Sequence, residues 1–142
     1  MIKEITNEIE LNRCDELLNL LILDERKYDQ TIDEYFKVKD YFKNVIKGNN
    51  FLLGYIIDDK IVGYIFIKNI DNSNYLIDGL YVEEEYRRRG IGKKLINKAL
   101  ELCKQRNAKC IDINVMYKND LAKNLYKLLG FEEFRMTLRK EL

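Results

Sequence analysis

Apolar residues change their spacing several times along this chain, and each change marks an element. Residues 1 to 6 alternate as a short strand does, and from 8 to 24 Leu11, Leu17, Leu18, Leu21 and Ile22 recur at helical spacing. A second helix is predicted from Thr31 to Gly48. Thr31 and Glu34 read as a capping box, Ile32, Tyr35, Phe36, Phe42, Val45 and Ile46 as its apolar stripe, and Gly48 as its stop. FLLGYIIDDKIVGYIFI, residues 51–67, is two β-rich runs around Asp58-Asp59-Lys60, which predicts an antiparallel hairpin. DNSN at 71–74 is a turn, and YLIDGLYV at 75–82 the next strand.

From residue 90 the period is helical again, with Ile91, Leu95, Leu100 and Cys103, and it ends near Asn107. KCIDINVM reads as a strand, NDLAKNLYKLLG as a helix capped by Asn119 and stopped by Gly130, and FEEFRMTLR as a last strand. The predicted order is β-α-α-β-β-β-α-β-α-β. It implies an α/β fold over residues 1–142, one mixed sheet with helices on both faces, in which the strand-helix-strand unit from 75 to 115 forms a parallel pair.

Composition narrows the chemistry. A chain of 142 residues with 46% hydrophobic and 35% charged residues has the size and content of one globular domain. MIKEITNEIE lacks the apolar core of a secretory signal, and no apolar run approaches the roughly 18 residues a membrane span needs, so a cytoplasmic location with no membrane partner is expected. Cys14, Cys103 and Cys110 are odd in number and apolar in context, which fits reduced core thiols. The absence of histidine removes Ser-His-Asp and Cys-His catalysis, and no metal site is expected.

Net charge is only +1, yet residues 1–86 hold 10 basic against 18 acidic side chains and residues 87–142 hold 15 against 6. Such a division points to an anionic ligand for the second half and a cationic one for the first. The basic half lacks interleaved aromatics, so a nucleic acid is not expected.

EYRRRGIGKK, residues 85–94, lies between the strand ending at Val82 and the helix starting near Gly90. A helix N-terminus leaves about four N–H groups unpaired and carries partial positive charge, and glycines at 90 and 92 let a phosphate approach them. The string is neither a Walker A loop nor a dinucleotide fingerprint, since Leu95 stands where a third glycine would.

LYVEEEYRRRGIGKKLI together with NDLAKNLYKLLGF resembles the two signature segments of the GCN5-related N-acetyltransferases, over about residues 51 to 138. The first is similar to that family's Arg/Gln-x-x-Gly-x-Gly/Ala turn, the second to its Asn-x(6)-Tyr-x-x-x-Gly-Phe helix. The resemblance implies acetyl-CoA as co-substrate and transfer of its acetyl group to an amine by direct attack in a ternary complex. It implies that the backbone at Leu80, Tyr81 and Val82 pairs with the pantetheine arm, and that the turn from Arg87 through Arg88, Arg89, Gly90, Ile91, Gly92 and Lys93 holds the pyrophosphate. Asn119 would cap its helix and contact the cofactor arm, Lys123 or Lys127 would reach the adenosine phosphate, and an N–H near Val82 would polarise the thioester oxygen.

Tyr126 stands at the family's proton-donor position, and a phenol of pKa near 10 suits a thiolate of pKa near 8.5. Some relatives place a glutamate base where this chain has Asn114. Asp78 is the first candidate base, an acid in an apolar strand that alternation sets on the face of Leu76 and Leu80; Asp112 and Glu83 follow. Glu25, Asp29, Asp33 and Glu34, near the first helix-helix junction, would suit a cationic amine. The alternative is an acyl-CoA-binding or sensing module without turnover; a monomer and a homodimer are both open.

Overall fold

The computed structural model describes residues 1–142. Five strands form one sheet in the order β1 (Ile2–Glu4), β2 (Phe51–Ile57), β3 (Lys60–Asn69), β4 (Asn74–Val82) and β5 (Cys110–Ile113). The first four are antiparallel, and β4–β5 is the parallel pair that the strand-helix-strand reading predicts. Asp58 and Asp59 take φ of 49° and 62° in a two-residue loop closed by Ile57 and Lys60. Positive φ at both positions is the twist-matched hairpin turn, which Asp tolerates better than most residues.

Helices cover both faces. On one, α1 (Glu8–Glu25) and α2 (Tyr41–Val45) bury Leu11, Cys14, Leu17 and Phe42 against Leu52, Tyr64 and Phe66. Phe42 packs edge-on to Tyr64 and Phe66 with centroids 5.4 and 5.3 Å apart, a geometry that aromatic quadrupoles favour. On the other, α3 (Ile91–Gln105) buries Leu95, Ile96, Ala99 and Cys103 against Phe51, Ile65, Ile67 and Ile77. Replacing the fully buried Leu95 by Ala costs about 2–5 kcal/mol, since the surrounding strands cannot collapse onto the hole. Helix α4 (Asp120–Leu128) adds Leu125 and Tyr126 to the same face. No helix is long and apolar enough to cross a membrane.

The structure corrects the second helix. Only Tyr41–Val45 is helical; from residue 28 to 40 the chain turns, and Tyr35 and Phe36 are exposed. Asp29 accepts from the N–H and hydroxyl of Thr31, and Asp33 from the N–H of Tyr35. Those local bonds satisfy the backbone in turns and so compete with the helix that the apolar spacing suggested. The N-terminus of α2 is capped from a distance, by buried Asp15 of α1, which accepts from Phe42 N–H at 3.1 Å.

The predicted last strand is also absent. Residues 131–142 pair with no strand, and Phe134, Met136 and Leu138 stand exposed. Alternation supplied two faces, but β5 ends at Ile113 and offers an edge of four residues only. The chain instead turns at Gly130, φ 95°, and lays the Phe131 ring against Tyr126. Of the cysteines, Cys14 and Cys103 are buried as expected, whereas Cys110 is exposed beside Asn74.

Candidate active site

The site begins at a defect in β4. Phe66 faces Gly79 and Ile67 faces Ile77, which leaves Asp78 without a partner on β3: a bulge. Pairing of β4 with β5 also ends at Ile77, opposite Ile113. Beyond that point the two strands part. Glu83 N–H donates to Val62 O, so alternation turns the polar groups of Leu80 and Val82 away from β3 toward the unpaired edge. Val82 O is already taken by Arg87 Nε at 2.8 Å.

The arginine-glycine turn stands at the end of this edge. A 3-10 turn at Glu84–Tyr86 leads into Arg88 with φ 65° and Gly90 with φ 76°, and α3 starts at Ile91. Lys94 N–H makes the helix's first bond, to Gly90 O; the N–H groups from Arg88 through Lys93 donate to no protein acceptor. Gly90 needs its positive φ. Gly92 does not; a Cβ there would meet nothing within 4 Å, so the space over the helix end is empty of protein. That free donor row and open space fit a phosphate group. Arg88, Arg89 and Lys93 are exposed, with Arg89 lying over Tyr86. Arg87 is committed elsewhere, to Val82 O, to Asp24 at 2.9 Å and to the Tyr81 ring.

Tyr126 packs into the cluster that also takes Leu80, Val82 and Phe131, and burial raises its phenol above the usual 10. It therefore keeps its proton at neutral pH. Asn119 caps α4, accepting from Ala122 N–H at 3.2 Å. Lys123 is tied to Tyr117 O, and Lys127 pairs with Glu133 at 2.7 Å.

The opposite face of the splay is acidic. The bulge breaks the alternation that would have put Asp78 with Leu80: Leu80 packs toward α3, while Asp78 turns with Leu76 toward α1 and α2, near Glu25, Tyr41 and Lys68. Burial raises the Asp78 carboxyl, and Lys68 and the Tyr41 hydroxyl oppose that rise. Burial likewise raises Glu25, with Asp78 and then Asp29 adding repulsion.

The other acids fare differently. Glu83 is held by Arg13 and by Lys60 at 3.4 Å. Asp112 faces Leu76 and, like Asp78, is exposed. Asp29 is gripped by Arg139 through two bonds of 2.8 and 3.2 Å, which, with Thr31, hold it well below the carboxylate range. The cation it binds is the chain's own. Glu34 pairs loosely with Arg26, and exposed Asp33 caps its own turn. Sequence reasoning missed Tyr64, whose buried hydroxyl has no partner in the protein and lies beside Gly79. A tyrosine in an apolar run reads as core, and only its unpaired oxygen says otherwise.

An uncharacterised N-acetyltransferase of Methanocaldococcus jannaschii is 33% identical over 132 residues, which cover 84% of this chain and 56% of that protein. This chain thus spans just over half of that relative. A mutant of a Bacillus halodurans protein superposes with TM-score 0.82 at 23% identity, covering 100% of this chain and 99% of the other. An aminoglycoside N-acetyltransferase in complex with CoA superposes with TM-score 0.70 at 17% identity, over 100% and 99%. Residues 14–131, which hold the bulge, the free N–H row and the helix of Tyr126, match the profile of the acetyltransferase (GNAT) family, and this chain belongs to it.

Proposed function

We propose that the protein is an acetyl-CoA-dependent N-acetyltransferase acting on a primary amine. The observation that carries the reading is the row of free N–H groups from Arg88 to Lys93 at the end of the open β4 edge. Those groups, with Arg88, Arg89 and Lys93, would hold the pyrophosphate; Leu80 and Val82 would pair with the pantetheine arm. The thioester supplies an activated acetyl carbonyl.

Tyr126 holds the proton that the leaving thiolate needs, and its raised pKa keeps that proton in place until the sulfur becomes basic. Asp78 sits across the splay on the face of α1 and α2. Its raised carboxyl is better matched than an ordinary aspartate to take a proton, directly or through water, from an amine of pKa about 10.4.

Titration calorimetry with acetyl-CoA, followed by thiol release with a panel of amines, tests the reading. Tyr126→Phe is expected to lower kcat by about 100-fold or more while the acetyl-CoA Kd stays put. No binding by the wild type overturns it; tight binding with no thiol release from any amine leaves a coenzyme-binding module instead.

A further inference from the structure

Arg87 opens the arginine run, yet its side chain turns back along the strand that it follows. Its Nε donates to Val82 O at 2.8 Å, its Nη2 donates to Asp24 at the end of α1 at 2.9 Å, and its guanidinium lies 5.1 Å from the centre of the Tyr81 ring. Three contacts therefore occupy the side chain within the protein.

One of those contacts falls on the open edge itself. Glu83 N–H donates to Val62 O at 2.9 Å, so the peptide joining Val82 to Glu83 is held at its nitrogen by β3 and at its oxygen by Arg87. Between Leu80 and Val82 the edge is left with two free donors, the N–H groups of both residues, and one free acceptor, Leu80 O. An arm that adds to this edge as a strand does brings amide N–H groups that need a carbonyl. Were Val82 O open, such an amide would have two carbonyls to choose from, two residues and roughly 6.6 Å apart along the strand. The free N–H row from Arg88 to Lys93 fixes only the phosphate end, and the single bonds between phosphate and amide let the arm buckle to meet either carbonyl.

Resting on the acetyltransferase reading, we propose that Arg87 is a positioning residue for the thioester: its Nε closes Val82 O to the pantetheine arm, so the arm pairs with Leu80 in one register and presents its thioester at one height on β4. The guanidinium touches neither phosphate nor acetyl group in this role and acts through the Val82 carbonyl.

The shape of the side chain supplies the test. In Arg87→Gln the amide nitrogen stands as many bonds from the backbone as the arginine Nε, which keeps a donor for Val82 O and drops the charge. In Arg87→Met a methyl group stands there and both are lost. Each variant is compared with wild type by calorimetry with ADP and with acetyl-CoA, by the isotope-edited infrared band of the bound thioester carbonyl, by thiol release and by thermal melts. Arg87→Met is expected to keep both Kd values within about twofold and to shift or split the carbonyl band. Its kcat should fall about tenfold or more, because a reacting group about 1 Å out of place slows attack at least that much. Arg87→Gln should restore a single band and most of kcat. Both should melt close to wild type, since the ion pair with Asp24 is exposed. Equal loss in the two variants, or a band and a kcat that neither variant moves, overturns this proposal and leaves the acetyltransferase reading standing. An ADP Kd weakened about tenfold in both would make Arg87 a phosphate ligand and overturns it likewise. Absent acetyl-CoA binding by the wild type, or absent thiol release with every amine, overturns both.

Discussion

The two sides of β4 are built to opposite rules. Toward α3 lie backbone donors, exposed arginines and a glycine with open space above it. Toward α1 and α2 lie the side-chain acids Glu25, partly buried, and Asp78, exposed, with the buried phenol of Tyr64. The first surface is assembled from consecutive residues, 88 to 93, and depends on local dihedral angles. The second draws on α1, α2, β3 and β4 and depends on the bulge. A phosphate is the same in every coenzyme, so a backbone cradle suffices for it; an acceptor must be told from other amines, which needs side chains from several elements.

If the sides divide the labour as proposed, substitutions on each should move different constants. Asp78→Asn has the largest expected effect. The amide keeps the shape of the side chain but accepts no proton, so kcat should fall by roughly 100-fold or more with the acetyl-CoA Kd unchanged, measured by thiol release and calorimetry. Because only the carboxylate accepts, wild-type turnover should grow as pH rises through the raised Asp78 pKa, and the variant should lose that limb. A kcat that survives would move the base elsewhere and unmake the contrast.

Gly92→Val probes the other side. A Cβ there meets no protein atom within 4 Å outside its own helix, so the melting temperature should hold, while the added side chain crowds the free N–H groups. Losing two hydrogen bonds to a charged group is expected to weaken acetyl-CoA binding about 100-fold, read by calorimetry. Gly90→Val should behave otherwise: φ of 76° strains a β-branched residue by about 1–3 kcal/mol, so stability falls along with binding.

How much of each side was legible in the sequence follows from how it is built. The arginine-glycine turn was readable because glycine spacing, an arginine run and a strand-to-helix switch all fall within ten residues. The bulge was not. It exists only in the pairing of Phe66 with Gly79 and Ile67 with Ile77, and skipping Asp78 there reverses which face Leu80 shares. Strict alternation therefore gave Asp78 a wrong neighbour. The helix expected from Thr31 failed because Asp29 and Asp33 close turns of their own, and the last strand failed because alternation says nothing about a partner edge. Asp29 was expected to meet a cationic acceptor and instead meets Arg139, more than a hundred residues away, which no local pattern encodes.

Gly79→Ala tests how tightly the acceptor side is set. A Cβ would stand 3.0 Å from the Tyr64 oxygen and 3.2 Å from its ring, and the ring is locked by Phe42 and cannot swing away. Overpacking of this kind costs about 1–3 kcal/mol, and the acceptor KM should rise while the acetyl-CoA Kd does not. In a Tyr64→Phe background the oxygen contact is gone, so the same substitution should cost less, and a double-mutant cycle in thermal melts should show the coupling. Additive effects would separate Gly79 from the hydroxyl.

The smallest effect is a matter of stability and pH. Glu25 is raised first by burial, then by Asp78 and Asp29, so the folded protein holds its proton to a higher pH than the unfolded chain, whose value is near 4.5. Between those two pKa values the native state binds more protons, and stability falls as pH rises through the window. The penalty grows as pH rises through the window; well below pH 4 both states are protonated and it vanishes. Glu25→Gln removes the charge at every pH, so it should melt higher than wild type at pH 7 and level with it at pH 3.5. Solvent screening at a half-exposed site holds the gain to about 0.5 kcal/mol, roughly 2 °C in a domain of this length. A variant that melts lower at pH 7 would mean that Glu25 has a favourable partner in the folded protein that outweighs the repulsion from Asp78 and Asp29.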